Sequence, residues 1–217
     1  MARRLKDLES YLSSIDTDFP NPNVALEQYP TSSHLAARVL FTCQQSFGDI
    51  EGKRVLDLGC GTGILSIAAS ALEPESVTSV DCDEQAILKA MDNVREFEAE
   101  RVSFVLAKVP HLPFPVGGGD GQFRFDTTVM NPPFGTKNGG GADWVFLKCA
   151  LGLSRVVYSL HKTSTRKFLL ESAKREFDLE SAQVVAELRF QLPATYKFHK
   201  KDSVDIAVDL LRFEHKL

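Results

Sequence analysis

The sequence predicts an α/β domain in three layers, in which a seven-stranded sheet lies between helices. From residue 55 onward, short apolar runs alternate with stretches of helical spacing, a pattern typical of a parallel sheet with helices on both faces. The last two apolar runs, 184–190 and 204–213, have no helix between them. Apolar residues alternate along the second of these runs, so we expect the two to form an antiparallel hairpin. The predicted fold is therefore Rossmann-like with an antiparallel last strand.

The predicted elements follow one another in a regular order. The strands are the apolar runs 55–58, 77–81, 102–106, 125–130, 156–160, 184–190 and 204–213. The helices are 64–72, 84–97, 142–153 and a segment that ends near residue 177. Prolines and a glycine-rich run at 117–121 predict a surface loop over 107–124.

Residues 1–50 predict a helical lead-in before the sheet. Apolar side chains recur at helical spacing over 5–15, and a second helix is predicted over 34–47. We expect a single domain over residues 1–217, in which this lead-in is followed by a core over 51–217.

Composition excludes several classes of protein. The chain is 43% apolar and 25% charged, which is typical of a globular protein that needs no disulfide or metal to form a core. No apolar run approaches the ~20 residues that span a bilayer, and acidic residues near the start argue against a cleaved targeting signal. The four cysteines form no CxxC pair, so we expect no metal site and a reducing compartment. The formal net charge of −4 means that any contact with nucleic acid must come from local patches.

A glycine-rich loop, Gly59–Gly63, joins the first predicted strand to the helix that follows. Glycine allows the backbone to approach a ligand closely, and a helix start offers unpaired N–H groups, so we expect a cofactor there. The dinucleotide pattern G-x-G-x-x-G requires glycine where this chain has Ile64, which disfavours NAD. Asp81 ends the second strand about 20 residues beyond Gly61, where a carboxylate can accept two ribose hydroxyls. From Asp57 onward this stretch resembles the first motif of S-adenosylmethionine-dependent methyltransferases; the alternative is a glycine-rich turn followed by an incidental aspartate.

The fourth predicted strand runs directly into Asn131-Pro132-Pro133-Phe134. Because neither proline has an N–H, this turn offers acceptors for hydrogen bonds. The Asn131 side-chain oxygen and the Pro132 carbonyl could accept both hydrogens of a conjugated amine and orient its lone pair, while Phe134 stacks on a flat substrate. We expect no catalytic histidine. The signature is typical of methyltransferases of adenine N6, cytosine N4 or glutamine N5; the alternative is that Asn-Pro-Pro only ends a strand.

Five motifs lie along the chain: LEQYPT at 26–31, the glycine loop, MNPPFGTK at 130–137, VYSLHK at 157–162 and YKFHKK at 196–201. Together they resemble the methyltransferase-like protein 5 family of small-subunit ribosomal RNA adenine-N6 methyltransferases. The resemblance covers nearly the whole chain and implies a seven-stranded class I methyltransferase fold with S-adenosyl-L-methionine as cofactor. It also implies methylation of a single adenosine in 18S ribosomal RNA, and a heterodimer with the small zinc-binding activator subunit of several methyltransferases.

The resemblance also indicates which residues form the site. Those expected at the cofactor are Gln28, Thr31, Asp57, Gly59, Cys60, Gly61, Thr62, Gly63, Ile64, Asp81, Lys108 and Val109. Asn131 through Phe134 would hold the target adenine. The family usually has an aspartate for the cofactor's adenine amine where this chain has Lys108, and a lysine cannot accept that hydrogen bond. Either a backbone group at Lys108 or Val109 replaces it, or the cofactor binds more weakly.

Two basic stretches are candidate RNA contacts. In one, Lys197, His199, Lys200 and Lys201 surround Phe198, and in the other Arg155, His161, Lys162, Arg166 and Lys167 flank the fifth strand. Basic and aromatic side chains together suit phosphate contact and base stacking, although such runs are more often solvated loops. The resemblance favours RNA. We expect a single-stranded or flipped adenosine, because the amine must be accessible.

Two other functions fit part of the sequence. A release-factor type of protein glutamine-N5 methyltransferase has the same planar amine as substrate, but its tetrapeptide usually ends in tyrosine and a separate domain precedes its core. The second alternative is a cofactor-binding scaffold that is catalytically silent, and the presence of Asn131 and Asp81 argues against it. In the family the third strand lies at the sheet edge, where the activator is expected to dock. We expect a cytoplasmic or nuclear (nucleolar) protein, or both.

Overall fold

The computed structural model describes residues 4–115, 123–135, 141–193 and 203–216, and within these ranges seven strands form one sheet. The strands are β1 (Arg54–Leu58), β2 (Ser76–Asp81), β3 (Val102–Leu106), β4 (Phe125–Met130), β5 (Ser154–Lys162), β6 (Leu179–Pro193) and β7 (Ser203–His215). The helices are α1 (Leu5–Leu12), α2 (Ser33–Phe47), α3 (Ile64–Ser70), α4 (Glu84–Glu96), α5 (Ala142–Leu153) and α6 (Arg166–Glu176). Short 3₁₀ turns lie at Val24–Leu26 and Thr163–Thr165.

The sheet has the order β3-β2-β1-β4-β5-β7-β6. Strands β1 to β5 are parallel, and β7 is antiparallel to both of its neighbours. This confirms the predicted fold class, including the antiparallel last strand. The predicted hairpin of β6 and β7 is also present, but β7 lies between β5 and β6, so the last strand of the chain is inside the sheet. The glycine-rich run at 117–121 lies outside the described residues.

Helices cover both faces of the sheet and bury a separate apolar cluster on each. One cluster packs α1, α2 and α3 against side chains such as Val55, Val129 and Tyr158. The other packs α5 and α6 against Leu56, Val157 and neighbouring residues of β7. The parallel strands are thus buried on both faces, which explains why they are continuous apolar runs in the sequence. No helix in the described ranges has both the length and the apolar character needed to cross a bilayer.

The order of the strands reverses between β1 and β4, which lie side by side although two strands separate them in sequence. Ligands of open α/β sheets bind beyond the carboxyl ends of the strands at such a switch point. The glycine loop follows β1 and the Asn131 turn follows β4, so the topology brings both to one edge of the sheet.

Residues 16–31, here called the N-terminal strap, lie across the glycine loop and α4. The side chain of Asn93 in α4 donates hydrogen bonds to the carbonyls of Asp16 and Thr62, both at 2.9 Å. The Thr62 hydroxyl donates a hydrogen bond to the Thr17 carbonyl at 3.3 Å, and Lys89 forms an ion pair with Asp16. The lead-in thus forms one side of the site.

Candidate active site

A cavity of about 380 Å³ opens at the carboxyl edge of the sheet, within the ~300–1,000 Å³ typical of small-molecule sites. Its lining comes from the N-terminal strap, the glycine loop, the ends of β2, β3 and β4, and the first turns of α5. The predicted site residues that line it are Gln28, Thr31, Gly59, Cys60, Gly61, Thr62, Ile64, Asp81, Lys108, Val109, Asn131 and Pro133. The structure therefore brings most of the predicted cofactor residues together with the turn at residues 131–134, here called the catalytic turn after its predicted role.

Two glycines of the loop have structural reasons for lacking a side chain. Gly61 has a φ of +52°, and a Cβ there would lie 2.9 Å from Cζ of Phe19 in the strap. Gly63 has a φ of +89°, and its Cβ would lie 3.1 Å from Cβ of Ala90 in α4. Gly63 thus allows α3 to pack closely against α4, and it does not line the cavity; its place at the cofactor stays a prediction.

Asp81 faces the loop from the end of β2. Its two carboxylate oxygens accept the backbone N–H of Gly61 at 2.8 Å and that of Asp83 at 3.0 Å. Burial raises the pKa of Asp81 more than these hydrogen bonds lower it. Because each oxygen has a second lone pair, the carboxylate keeps acceptor capacity for hydroxyls of a ligand in the cavity.

Asp57 was predicted at the cofactor, but it does not line the cavity. It is fully buried beneath the loop, where Oδ2 accepts a hydrogen bond from the Ser66 hydroxyl at 2.6 Å. Ser66 in turn lies 2.7 Å from the Ser79 hydroxyl, which links β1, α3 and β2. Burial raises the pKa of Asp57 to about 7. Asp57 is therefore a positioning residue that supports the loop from below.

Gln28 lines the cavity, but both ends of its amide are used within the protein. Its Nε2 donates to Asp83 at 2.7 Å, and its Oε1 accepts the backbone N–H of Asn23 at 2.7 Å. Asp83 also caps the first turn of α4 through Gln85. Gln28 thus fastens the strap to the loop after β2, a role that the sequence resemblance did not indicate.

The catalytic turn is joined to the strap by one hydrogen bond. Nδ2 of Asn131 donates to the Thr31 hydroxyl at 2.9 Å, so the amide oxygen is the atom that Asn131 can offer to a substrate amine. Pro132 is buried and lies outside the lining, while Pro133 forms part of it. The half-buried Phe134 ring packs against the core, and Nζ of Lys162 lies 5.8 Å from its centroid. Phe134 is therefore beside the cavity rather than lining it.

Lys108 lines the cavity at the end of β3, together with Val109 and Cys82. Its carbonyl accepts the backbone N–H of His111 at 2.7 Å. Burial raises the pKa of the Cys82 thiol, and the Lys108 charge opposes that shift. The position where this chain has Lys108 instead of an acidic residue thus lies in the lining of the cavity.

Only part of the predicted RNA surface can be located. Lys197, Phe198, His199, Lys200 and Lys201 lie outside the described residues, while Lys162 lies beside the catalytic turn. Of the other basic residues around β5, His161, Arg155 and Arg166 are engaged within the fold, whereas the side chain of Lys167 is 87% exposed. His161 is fully buried with a pKa lowered to about 3 by burial, Arg155 pairs with Glu214 at 3.0 Å, and Arg166 pairs with Asp209.

Several lining residues escaped the prediction. Phe19, Val145 and Phe146 contribute apolar area to the cavity. Phe19 belongs to no periodic segment, and the α5 residues follow the helical pattern of a core helix, so no sequence signal marks them as part of a site.

Comparison with known proteins decides the family. The chain is 46% identical over 211 residues to rRNA N(6)-adenosine-methyltransferase METTL5 of Danio rerio, with 97% of this chain and 98% of that protein covered. It is 47% identical over 216 residues to the Mettl5 protein of the same name in Drosophila melanogaster, with 99% and 98% covered. The chain belongs to the methyltransferase-like protein 5 family.

Structural comparison agrees with membership of the methyltransferase-like protein 5 family. A solved structure from Pyrococcus horikoshii, described as that of a candidate RNA methyltransferase, has a TM-score of 0.82 and 34% identity, with 100% of both chains covered. The family model of Ribosomal protein L11 methyltransferase (PrmA) matches residues 33–116. That range holds the glycine loop and Asp81 but ends before Asn131, so the similarity to that model concerns the cofactor half.

These findings confirm the predicted enzyme class. Within the methyltransferase-like protein 5 family, the chain is an S-adenosyl-L-methionine-dependent methyltransferase of the ribosomal RNA adenine-N6 type. The roles of individual site residues remain predictions, to which the geometry above gives a spatial basis.

Proposed function

We propose that this protein methylates N6 of one adenosine in small-subunit (18S) ribosomal RNA. The observation that carries the proposal is the hydrogen bond between Asn131 and Thr31, which directs the amide of Asn131 within the same cavity that the glycine loop lines. An oriented acceptor beside a cofactor loop is what a weakly nucleophilic ring amine requires. The names of the relatives support ribosomal RNA adenosine as the substrate class.

The cavity suits S-adenosyl-L-methionine. Gly61 lines it with backbone that carries no side chain, and Asp81 supplies a carboxylate at the end of β2 where ribose hydroxyls are expected. When bound, this cofactor supplies an electrophilic methyl group on a sulfonium. Gly59, Thr62 and Ile64 would hold its amino-acid part against the start of α3.

The remaining chemistry belongs to the catalytic turn. The lone pair of the adenine amine is delocalised into the ring, which makes the nitrogen a poor nucleophile. Oδ1 of Asn131 and the carbonyl of Pro132 would each accept one amine hydrogen and orient the lone pair toward the methyl donor. A strong base is not needed, because the amine hydrogen becomes acidic only as the nitrogen gains positive charge. His161 is not the proton acceptor, since it is fully buried and its Nε2 lies 2.6 Å from the Ser159 hydroxyl.

The proposed partner is the small zinc-binding activator subunit, docked at the β3 edge in a heterodimer. Among the residues that the structure describes, β3 pairs with β2 alone, so its outer backbone groups can accept an added strand. Leu106 at the end of β3 is 58% exposed, and Leu88 and Met91 expose apolar area on the neighbouring α4. Burial of this apolar area against a protein partner is more favourable than its exposure to water. We also propose that the complex works in the cytoplasm, the nucleolus or both.

The test is mass spectrometry of nucleosides from small-subunit RNA incubated with the cofactor and the protein, with and without its partner. The wild type should form N6-methyladenosine, and Asn131→Ala should abolish it. Gln183→Ala, which removes an exposed amide of β6 far from the turn, is the matched control and should retain activity. Dimethyladenosine or a ring-nitrogen methyl as the product would overturn the assignment. Methylation of release-factor glutamine instead of RNA would favour the glutamine-N5 alternative.

A further inference from the structure

An aromatic pair lies on the outer surface of α5 and α6. The rings of Trp144 and Phe168 meet edge to face, with centroids 5.9 Å apart. Phe168 is 53% exposed, and Trp144 is half-buried. A single exposed apolar side chain needs no explanation, but a phenylalanine held against a tryptophan forms a platform of ring area in contact with water.

Lysines border this platform. Nζ of Lys148 lies 5.7 Å from the Trp144 ring centroid, one helical turn along the same face of α5. Lys167 precedes Phe168 in α6, and its side chain is 87% exposed. Their ion pairs are loose and exposed, with N···O distances of 3.8 Å to Glu176 and 3.9 Å to Glu171, so little would be lost if either lysine turned to another anion.

The platform adjoins the catalytic cavity. Val145, the residue after Trp144, lines the cavity and is 38% exposed, so the surface of α5 continues from the cavity to the aromatic pair. On the other side, Lys162 lies over Phe134 of the catalytic turn and acts electrostatically on Asp143, the neighbour of Trp144. A polynucleotide with one adenosine in the cavity would therefore have its adjacent nucleotides within reach of α5.

We propose that the Trp144–Phe168 pair, with Lys148, is a binding surface for a nucleotide that flanks the target adenosine. Unstacked bases of single-stranded RNA stack on aromatic side chains, and the flanking phosphates pair with lysine. The charge of the lysines and the continuity with the cavity favour RNA over a protein partner at this place. The inference rests on the proposed function and adds to it a surface that selects single-stranded RNA around the target.

Trp144 is the only tryptophan of the chain, so its fluorescence reports directly on this surface. The full-length protein, saturated with cofactor, would be titrated with a short single-stranded RNA that carries a central adenosine. Stacking of a base should quench the Trp144 emission beyond any change caused by the cofactor alone. Emission that stays constant at saturating RNA, while the same RNA is methylated, would overturn the proposal.

Variants separate ring stacking from apolar area. Phe168→Leu keeps apolar area but removes the ring, and it should weaken RNA affinity about tenfold, within the range that base stacking contributes. Phe168→Tyr keeps the ring and should bind within about twofold of the wild type. Lys148→Gln should weaken binding at low salt more than at high salt. The KM for RNA should rise in Phe168→Leu, while kcat at saturating RNA and the cofactor Kd stay as in the wild type.

The outcomes also distinguish this inference from the proposed function. If the wild-type protein and its partner methylate no RNA, the proposed function fails. If they do and Phe168→Leu binds RNA like the wild type, this inference alone fails. It fails as well if Phe168→Leu loses a protein partner but keeps its RNA affinity, which would make the platform a protein interface. Phe168 is exposed, so a thermal melt matching the wild type will show that the variant is folded.

Discussion

The Thr31 hydroxyl accepts a hydrogen bond from the Asn131 side chain at 2.9 Å, although 100 positions separate the two residues in sequence. The bond connects the N-terminal strap to the catalytic turn. It uses the amide nitrogen of Asn131 and leaves the amide oxygen available to a substrate. Thr31 was expected at the cofactor, and it is one of the residues that line the cavity. The geometry adds a second role, that of a positioning residue for Asn131.

Thr31→Val should lower kcat about fivefold, because one hydrogen bond of ~1 kcal/mol no longer orients the Asn131 amide. Thr31→Ser keeps the hydroxyl and should restore most of the rate. Kinetics at saturating cofactor and RNA measure kcat, and calorimetry measures the cofactor Kd. A weaker cofactor Kd with unchanged kcat would show that Thr31 serves the cofactor and not Asn131.

Lys108→Asp should tighten cofactor binding. The substitution supplies a side-chain acceptor for the cofactor's adenine amine at the end of β3, where a lysine ammonium can only donate. Lys108→Met removes the charge without adding an acceptor, so it separates the two effects and should improve affinity less. Isothermal calorimetry of all three proteins checks the order, and equal affinities would contradict the hypothesis.

Ionisation of the buried Asp57 should lower the free energy of unfolding as the pH rises toward neutrality. Burial, together with the charge of Asp81, raises its pKa from 3.8 to about 7 despite the hydrogen bond from Ser66. The folded protein therefore keeps a proton that the unfolded chain loses. The resulting contribution to the free energy of unfolding is complete below about pH 3.8 and is lost as the pH rises through about 7.

Asp57→Asn removes this titration, so its free energy of unfolding should fall less than that of the wild type between about pH 4 and pH 7. Urea denaturation across this range measures the difference. Asp126→Asn is a control of opposite sign, because the hydrogen bond from Arg54 lowers the pKa of Asp126. Its loss of stability relative to the wild type should grow as the pH rises through about 4. Parallel curves for wild type and Asp57→Asn would refute the assignment.

Leu106→Asp should prevent association with the activator subunit, since it places a charge at the exposed apolar end of β3. Gln183→Asp introduces the same charge on β6, at the opposite edge of the sheet, and should leave association intact. Co-purification of tagged pairs checks both variants. Association retained by Leu106→Asp would place the partner on another surface.

Lys162→Gln should weaken RNA binding and reduce the salt slope of the affinity by about 1, as expected for the loss of one phosphate contact. Its ammonium lies over Phe134 beside the catalytic turn. Lys53→Gln is the matched control, because Lys53 precedes β1 and lies at the amino ends of the parallel strands, whereas the catalytic turn lies at their carboxyl ends. Anisotropy titrations at several salt concentrations give the slopes. An unchanged slope in Lys162→Gln would remove this residue from the RNA surface.

Local features were predicted well wherever the deciding interactions are local. The runs at 102–106 and 125–130 form strands with the predicted ends, because apolar periodicity and flanking turn residues act over a few positions. The glycine loop and the Asn131 turn were also placed correctly, since each follows directly from the end of a parallel strand. Their meeting at one edge was implied by the α/β pattern alone.

The sequence by itself determined the α/β class, the order of its elements, and the places of the glycine loop after β1 and of the Asn131 turn after β4. Only the tertiary structure decided that β7 lies between β5 and β6, that Asp57 is buried on Ser66, and that Trp144 meets Phe168. The physical reason is distance along the chain. Periodicity shows which face of an element is buried but not which partner covers it, and side-chain contacts between distant residues depend on how the layers pack.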